Sequence, residues 1–173
     1  MAISGEIVGI GVSGKHWIGG YEQSAHDMIL ESIQSAKNSI QITAYSLGEM
    51  SEELEDIFKI LLLKINSGVK VQLIVNRLWS TSDYAKRRIK SLEHKNFTLL
   101  DYDPDRKIEN LHAKILIIDS TDVIVGSANM SKSGMVANHE IMIKVRGGEF
   151  ASKINRLVDI LARSVHTGDK VGQ

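Results

Sequence analysis

The side chains best suited to chemistry lie between positions 112 and 129, in the segment HAKILIIDSTDVIVGSAN. It follows the pattern H-x-K-x(4)-D-x(6)-G-S-x-N, with fixed residues His112, Lys114, Asp119, Gly126, Ser127 and Asn129. An ammonium and an amide can bind the non-bridging oxygens of a phosphate diester, and an imidazole can attack phosphorus or move a proton. The alternative is a His and a Lys tolerated in a sheet core, but Lys is almost never fully buried without a partner.

Two apolar, β-rich runs carry this pattern, at residues 111–119 and 123–127, with Ser-Thr-Asp between them. Two such runs joined by a short polar link predict a β-hairpin. Because side chains alternate along a strand, His112 and Lys114 should share one face, while Asp119 points to the other. Ser127 and Asn129 should share a face on the returning strand, so the four polar groups meet at one end of the hairpin.

The pattern resembles the HKD signature of the phospholipase D superfamily, and it matches at all six positions. The order of elements from about residue 21 to residue 163 is also similar to that of the short, single-motif members, which are mostly nucleases. In that family an active site needs two motif copies, and no second H-x-K-x(4)-D occurs here. The resemblance therefore implies a homodimer, with the two His112 rings facing each other across a two-fold axis.

Roles follow from the resemblance, residue by residue. One His112 would form a covalent phosphohistidine, and His112 of the second copy would protonate the leaving oxygen and then activate water. Lys114 and Asn129 would hold the phosphate, with Ser127 and Gly126 in support. No cofactor or metal is implied, since the motif contains one His and no clustered carboxylates.

Two acidic residues receive different interpretations. The family uses a downstream Glu to hold the imidazole in its tautomer, and Glu140, in NHEIMIKV, is the matching residue. The alternative for Glu140 is a charge on an edge strand. Asp119, on the other strand face, is better interpreted as a structural ion-pair or turn partner than as a catalyst.

Length and composition predict one α/β domain of 173 residues. The expected parts are a core at about 21–166, an N-terminal strand with a Gly-rich turn at 1–20, and a tail at 167–173. Equal numbers of basic and acidic side chains, 21 each, argue against nonspecific coating of nucleic acid. The absence of Cys, of a signal peptide and of an apolar run near 18 residues predicts a cytoplasmic protein without integral membrane association.

Periodicity predicts a mixed sheet, part parallel and part antiparallel, with helices on both faces, as in phospholipase D-like proteins. The predicted helices are 21–37, 51–66, 82–95 and 149–166, and the further strands are 39–47, 70–76, 97–102 and 138–146. Ligands gather at the carboxyl ends of parallel strands. Candidates for lining the cleft there are Tyr45, Ser46, Asn76, Arg77 and Trp79. Trp79 could stack on a base, but a partly buried core aromatic is an equal alternative.

A glycine pattern near the N-terminus, Gly9-x-Gly11-x-x-Gly14, matches a dinucleotide-binding fingerprint. The context does not fit, because WIGGYE does not open a helix and no acidic residue ends a second strand at the right distance. A short strand and a Gly-rich turn are predicted instead. His16 and Trp17 could lie near the site, while His139 should point to the face opposite Glu140.

The leading hypothesis is a metal-independent phosphodiesterase of the nuclease type, with DNA and RNA equally open as substrates. Phospholipid cleavage ranks lower because no amphipathic apolar surface helix is evident. A third hypothesis is a non-cleaving phosphate-binding or dimerisation module that works with a helicase, translocase or restriction-system partner. The intact His112, Lys114 and Asn129 argue against that module.

Overall fold

A computed structural model describes residues 2–18, 20, 22–104 and 108–167. Its described residues contain eight strands: β1 Glu6–Val12, β2 Gln23–Ser24, β3 Ser39–Ala44, β4 Lys70–Asn76, β5 Phe97–Tyr102, β6 Lys114–Ile118, β7 Asp122–Gly126 and β8 Ile141–Arg146. They form one sheet in the order β2-β1-β8-β7-β6-β3-β4-β5. The β3-β4-β5 and β1-β2 pairs are parallel and the others antiparallel, which confirms the mixed sheet.

The long helices are α1 Ala25–Ser35, α2 Glu52–Asn66, α3 Asp83–Lys90 and α4 Gly148–Thr167. Serine side chains cap the first three: Ser24 accepts from the Asp27 N–H at 3.0 Å, Ser51 from Leu54 at 3.3 Å and Ser82 from Ala85 at 3.1 Å. Such caps satisfy a free backbone donor, so each helix begins just after its serine. Helix α1 therefore starts later than predicted, and residue 21 and residues 168–173 lie outside the described residues.

Helices cover both faces of the sheet, as predicted. Helices α1, α2 and α3 pack on one face, where α2 buries Leu54, Ile57, Phe58, Leu61 and Ile65 at helical spacing. Helix α4 packs on the other face through Ala151 and Val158 against Ile74, Ile117 and Val123. Burying each large apolar side chain contributes about 1.5–3 kcal/mol. Within the described part of the chain, no helix combines the length and apolar character needed to cross a bilayer.

Strand register brings the motif residues to one edge of the sheet, which we call the site edge. Lys114 opens β6 opposite Gly126 at the end of β7, and Gly126 pairs with Met142 near the start of β8. The carboxyl ends of β3, β4 and β5 reach the same edge, because Thr43 of β3 pairs with Ile115 of β6. The site edge thus collects the carboxyl ends of the parallel strands and the motif hairpin.

Candidate active site

Lys114 is buried at the start of β6, with 9% of its surface exposed. Its Nζ donates to the backbone oxygen of His112 at 2.7 Å and lies 2.9 Å from Nδ1 and 3.2 Å from Nε2 of the same residue. Burial lowers the pKa of Lys114, and the negative charge of Glu140 partly offsets that effect. An incompletely solvated cation at this position is well suited to bind an anion.

His112 precedes β6 instead of lying within it, and its side chain is exposed. The N–H of Leu111, one residue earlier, donates to Oδ1 of buried Asn76 at 2.8 Å. The ring of Tyr45 lies 4.4 Å from the His112 ring, and the Lys114 Nζ is 5.2 Å from the Tyr45 ring centre. Tyr45 therefore touches both the imidazole and the ammonium, whereas Asn76 anchors the segment that carries them.

The residues after β7 approach the site through tight backbone packing. A Cβ on Gly126 would lie 2.2 Å from the Ile141 carbonyl oxygen and 2.8 Å from the Met142 Cα, so no side chain fits there. Ser127 pairs with Ile141, donating through its N–H at 3.1 Å and accepting at its Oγ at 3.2 Å. Gly126 and Ser127 thus fix the end of β7 against β8.

Asn129 lines a small cavity together with Lys114 and Tyr45. Its Oδ1 is buried and has no hydrogen-bond partner among the described residues. Buried polar atoms are rarely unpaired, and the exceptions concentrate where a ligand completes them. The amide can rotate to present its N–H₂ group to a phosphate oxygen in the same cavity.

Glu140, directly before β8, is half-buried, and its Oε1 accepts from the Asn138 side chain at 3.2 Å. Its charge acts on Lys114. Within the described chain, Glu140 makes no hydrogen bond to His112 of the same copy. The geometry of one copy therefore links this carboxylate to the ammonium, and its role in orienting the imidazole stays a prediction.

Asp119 lies at the other end of β6, away from the site edge. Its carboxylate accepts from the backbone N–H groups of Lys37 at 2.9 Å, Asn38 at 2.7 Å and Ser39 at 2.9 Å. Burial acts to raise the pKa of Asp119, but these three hydrogen bonds outweigh burial and hold that pKa below its usual range. Asp119 therefore ties the β6–β7 turn to the start of β3.

The remaining cleft candidates occupy different environments. Ser46 is half-buried after β3. Arg77 has a left-handed backbone, with φ 50°, and its guanidinium donates to the Glu109 carbonyl at 2.9 Å and lies 3.3 Å from the Asp103 carboxylate. Trp79 is 66% exposed and donates from Nε1 to Asp103 at 3.1 Å, so the alternative of a partly buried core aromatic is wrong.

Sequence reasoning missed the role of Ser13. This residue is fully buried, and its Oγ lies 2.8 Å from the Gly134 carbonyl oxygen and 2.7 Å from that of Asn138. The partners lie more than 120 positions along the chain, with separations of 121 and 125. A single serine among glycines carries no sequence signal for such a contact.

Solved structures place this architecture in a known class. Nuc from Salmonella typhimurium, a phospholipase D family member, superposes with a TM-score of 0.67 at 24% identity, over 90% of this chain and 91% of that one. NucT from Helicobacter pylori superposes with a TM-score of 0.70 at 23% identity, over 90% and 96% of the two chains. At these identities the likeness shows the phospholipase D fold.

The sequence establishes the family. The family described as "Cardiolipin synthase, PLD-like domain" matches residues 29–161, and the chain belongs to this phospholipase D-like family. It is also 32% identical over 135 residues to a protein named DISARM protein DrmC from Bacillus paralicheniformis. That match covers 78% of this chain and 55% of DrmC, so the chain spans about half the length of this relative.

Proposed function

We propose that this protein is a phosphodiesterase that cleaves nucleic acid without a metal ion, through a covalent phosphohistidine at a site shared by two copies of the chain. The observation that carries the proposal is the buried ammonium of Lys114 within 2.9 Å of the exposed imidazole of His112. Asn129 lines the same cavity as Lys114, and its buried side-chain oxygen has no partner among the described residues. Together they provide a nucleophile and two groups for the non-bridging oxygens.

In the first step, a ring nitrogen of one His112 attacks phosphorus, and a P–N bond forms as the P–O bond to the leaving group breaks. The leaving oxygen takes a proton from His112 of the second copy. In the second step that imidazole accepts a proton from water, whose oxygen attacks phosphorus and displaces the first imidazole. The enzyme returns to its starting state, and one diester has become a monoester and an alcohol.

The proton transfers call for a second acid–base group beside the nucleophile. One imidazole cannot attack phosphorus and protonate the leaving oxygen in the same step, because its nucleophilic form must carry a lone pair. This sequence contains one H-x-K-x(4)-D, and the family it resembles uses two, so we assign the second imidazole to His112 of another copy. Lys114 and Asn129 of both copies then surround the phosphate, with Ser127 and Gly126 holding the adjacent backbone.

The choice of nucleic acid rests on likeness to the short, single-motif members of the family. The name of the DrmC relative, a DISARM protein, supports action as part of a larger system. A helicase, translocase or restriction-type protein that presents the strand is the kind of partner such a nuclease would use. The competing function is a phosphate-binding or dimerisation module that depends on that partner for any activity.

The test incubates the purified protein, in EDTA, with single-stranded DNA, double-stranded DNA, RNA and phospholipid vesicles, beside His112→Ala. We expect cleavage of at least one nucleic acid in EDTA and none by the variant. Vesicle hydrolysis without nucleic-acid cleavage would replace the nuclease with a phospholipase. Equal cleavage by His112→Ala would remove the histidine mechanism.

A further inference from the structure

The glycine pattern of β1 and the turn that follows it allows close packing and a tight turn. A Cβ on Gly11 would lie 2.8 Å from the Met28 Cε and 3.1 Å from the Ala25 Cα, so β1 approaches α1 closely. Gly14 has φ +95°, and a Cβ there would lie 2.7 Å from the His139 ring. The pattern therefore brings the turn at residues 14–18 directly against the residue before Glu140.

This turn is fastened to the segment that precedes β8. The Ser13 N–H donates to the Glu140 carbonyl at 3.1 Å, and the Gly14 N–H donates to that of Val136 at 2.9 Å. The buried Ser13 hydroxyl adds its contacts with Gly134 and Asn138. The turn and the segment before β8 are therefore held in one fixed arrangement.

This arrangement carries three exposed aromatic side chains, those of His16, Trp17 and His139. We call these three residues the aromatic corner. Nδ1 of His16 lies 2.9 Å from Nε2 of His139, with ring centres 5.0 Å apart and planes 19° apart. The centre separation exceeds the N···N distance by about two ring radii, so the imidazoles lie side by side in nearly one plane. Trp17 stands at 84° to His139, with ring centres 5.1 Å apart and 40% of its surface exposed.

The aromatic corner lies at the site edge. Val12, just before the turn, pairs with Ile141, and β8 leads through β7 to Lys114 on β6. Three strand spacings, roughly 14 Å, separate β1 from β6. His139 immediately precedes Glu140, whose charge acts on Lys114. A strand whose phosphate lies at Lys114 can therefore reach the aromatic corner with a nucleotide a few positions away.

We propose that the aromatic corner binds a nucleobase of the substrate a few positions from the scissile phosphate, an inference that rests on the proposed nuclease function. A base can stack on the exposed rings, and rings already held in place lose little freedom on binding. The contact between the imidazoles uses Nδ1 of His16 and Nε2 of His139, so the other two ring nitrogens are left for a polar group of the substrate. Exposed Lys15, in the same turn, supplies a cation for a backbone phosphate.

The experiment measures binding without turnover, in a His112→Ala background, with oligothymidylate and an abasic oligomer of the same length. Both probes carry the same phosphates, so the ratio of their Kd values isolates the base. The chain has two tryptophans, so Trp79→Phe leaves Trp17 as a single fluorescent reporter. We expect oligothymidylate to quench Trp17 and to bind more tightly than the abasic oligomer.

Trp17→Ala should weaken oligothymidylate binding on the order of 5- to 150-fold, the range for loss of one stacked base, and leave abasic binding within twofold. Trp17→Phe should retain most of the difference. An unchanged ratio in Trp17→Ala would overturn the proposal, as would dissociation of the dimer by that substitution, which would make the corner an interface between copies. Cleavage by the wild-type protein is measured separately, so failure of the nuclease function is distinguishable from failure of the corner.

Discussion

The carboxylate of Glu140 has two possible targets, the ammonium of Lys114 and the imidazole of His112. The structure places its charge where it raises the pKa of Lys114 against the lowering effect of burial. A bound phosphate diester favours the charged ammonium, so affinity is full below the folded pKa of Lys114 and falls as pH rises through it. That fall should begin below the ordinary lysine value of about 10.4.

Glu140→Gln separates the two targets. Loss of the charge lowers the pKa of Lys114 further, so the alkaline fall in oligonucleotide affinity should move to lower pH. If the carboxylate also orients the imidazole in the assembled site, kcat should fall on the order of 10²–10⁴-fold and the acid limb of the kcat profile should shift. Kd and kcat measured across pH report the two effects independently.

Lys114→Arg is the control, because a guanidinium stays charged throughout the range. Lys114→Arg should abolish the early fall in oligonucleotide affinity at alkaline pH, both alone and combined with Glu140→Gln. If the fall persists in the arginine variant, Lys114 is not its origin. If Glu140→Gln shifts neither the alkaline fall in affinity nor the acid limb of the kcat profile, the carboxylate has a structural role only.

The motif hairpin and the start of β3 are joined by Asp119. This residue has φ 51°, a left-handed conformation that Asn also tolerates, so Asp119→Asn removes the charge while keeping a residue suited to the turn. Hydrogen bonds to a charged group contribute about 1.5–3 kcal/mol, and we expect a loss of about 1–3 kcal/mol in the free energy of unfolding at neutral pH. The pKa of Asp119 is depressed on folding, so this stability is present above the unfolded value and is lost as pH falls through the folded one.

Urea unfolding at neutral and acid pH checks this expectation, with Asp159→Asn as the matched control. Asp159 is an exposed residue of α4 that accepts from the Gln41 side chain at 3.2 Å, and its substitution should change stability by less than about 0.5 kcal/mol. The difference in the free energy of unfolding between Asp119→Asn and wild type should disappear at acid pH. An equal difference in the free energy of unfolding at both pH values would mean that the charge of Asp119 does not stabilise the turn.

The bounds of several helices and strands could be predicted from local sequence pattern alone. Strands β4 and β5 were predicted to the residue, and α2 to within one, because apolar periodicity and a serine cap are local signals. Strand β8 begins at Ile141 instead of residue 138, because a π-helical turn at Ser133–Ala137 precedes it and the main chain of Asn138 and Glu140 bonds to Ser13. His112 likewise falls outside β6, whose pairing starts at Lys114.

For the whole molecule, the shared site makes a quantitative prediction about mixed dimers. When wild-type protein exchanges subunits with His112→Ala, each mixed dimer lacks one of the two imidazoles and should be inactive. Nuclease activity per total protein should therefore fall with the square of the wild-type fraction. The measurement is cleavage rate against mixing ratio after subunit exchange.

Leu157→Ala is the matched diluent for that experiment, since Leu157 is 59% exposed on α4 and lies outside the candidate site. Mixing it with wild type should leave the rate per total protein unchanged. A linear fall with His112→Ala would show that each copy works alone and would contradict the shared site. Sedimentation at the assay concentration confirms that the mixed species are dimers.

The amino-acid sequence by itself determined the motif, the alternating strands, most helix starts and the α/β class, because each depends on residues close together in the chain. Tertiary structure alone decided that Lys114 is buried, that Glu140 acts on it, and that Asp119 binds backbone groups 80 to 82 positions away. It also decided that His16 meets His139 across 123 positions. Such contacts depend on the order and register of strands, which the burial of the whole apolar surface selects and no local pattern encodes.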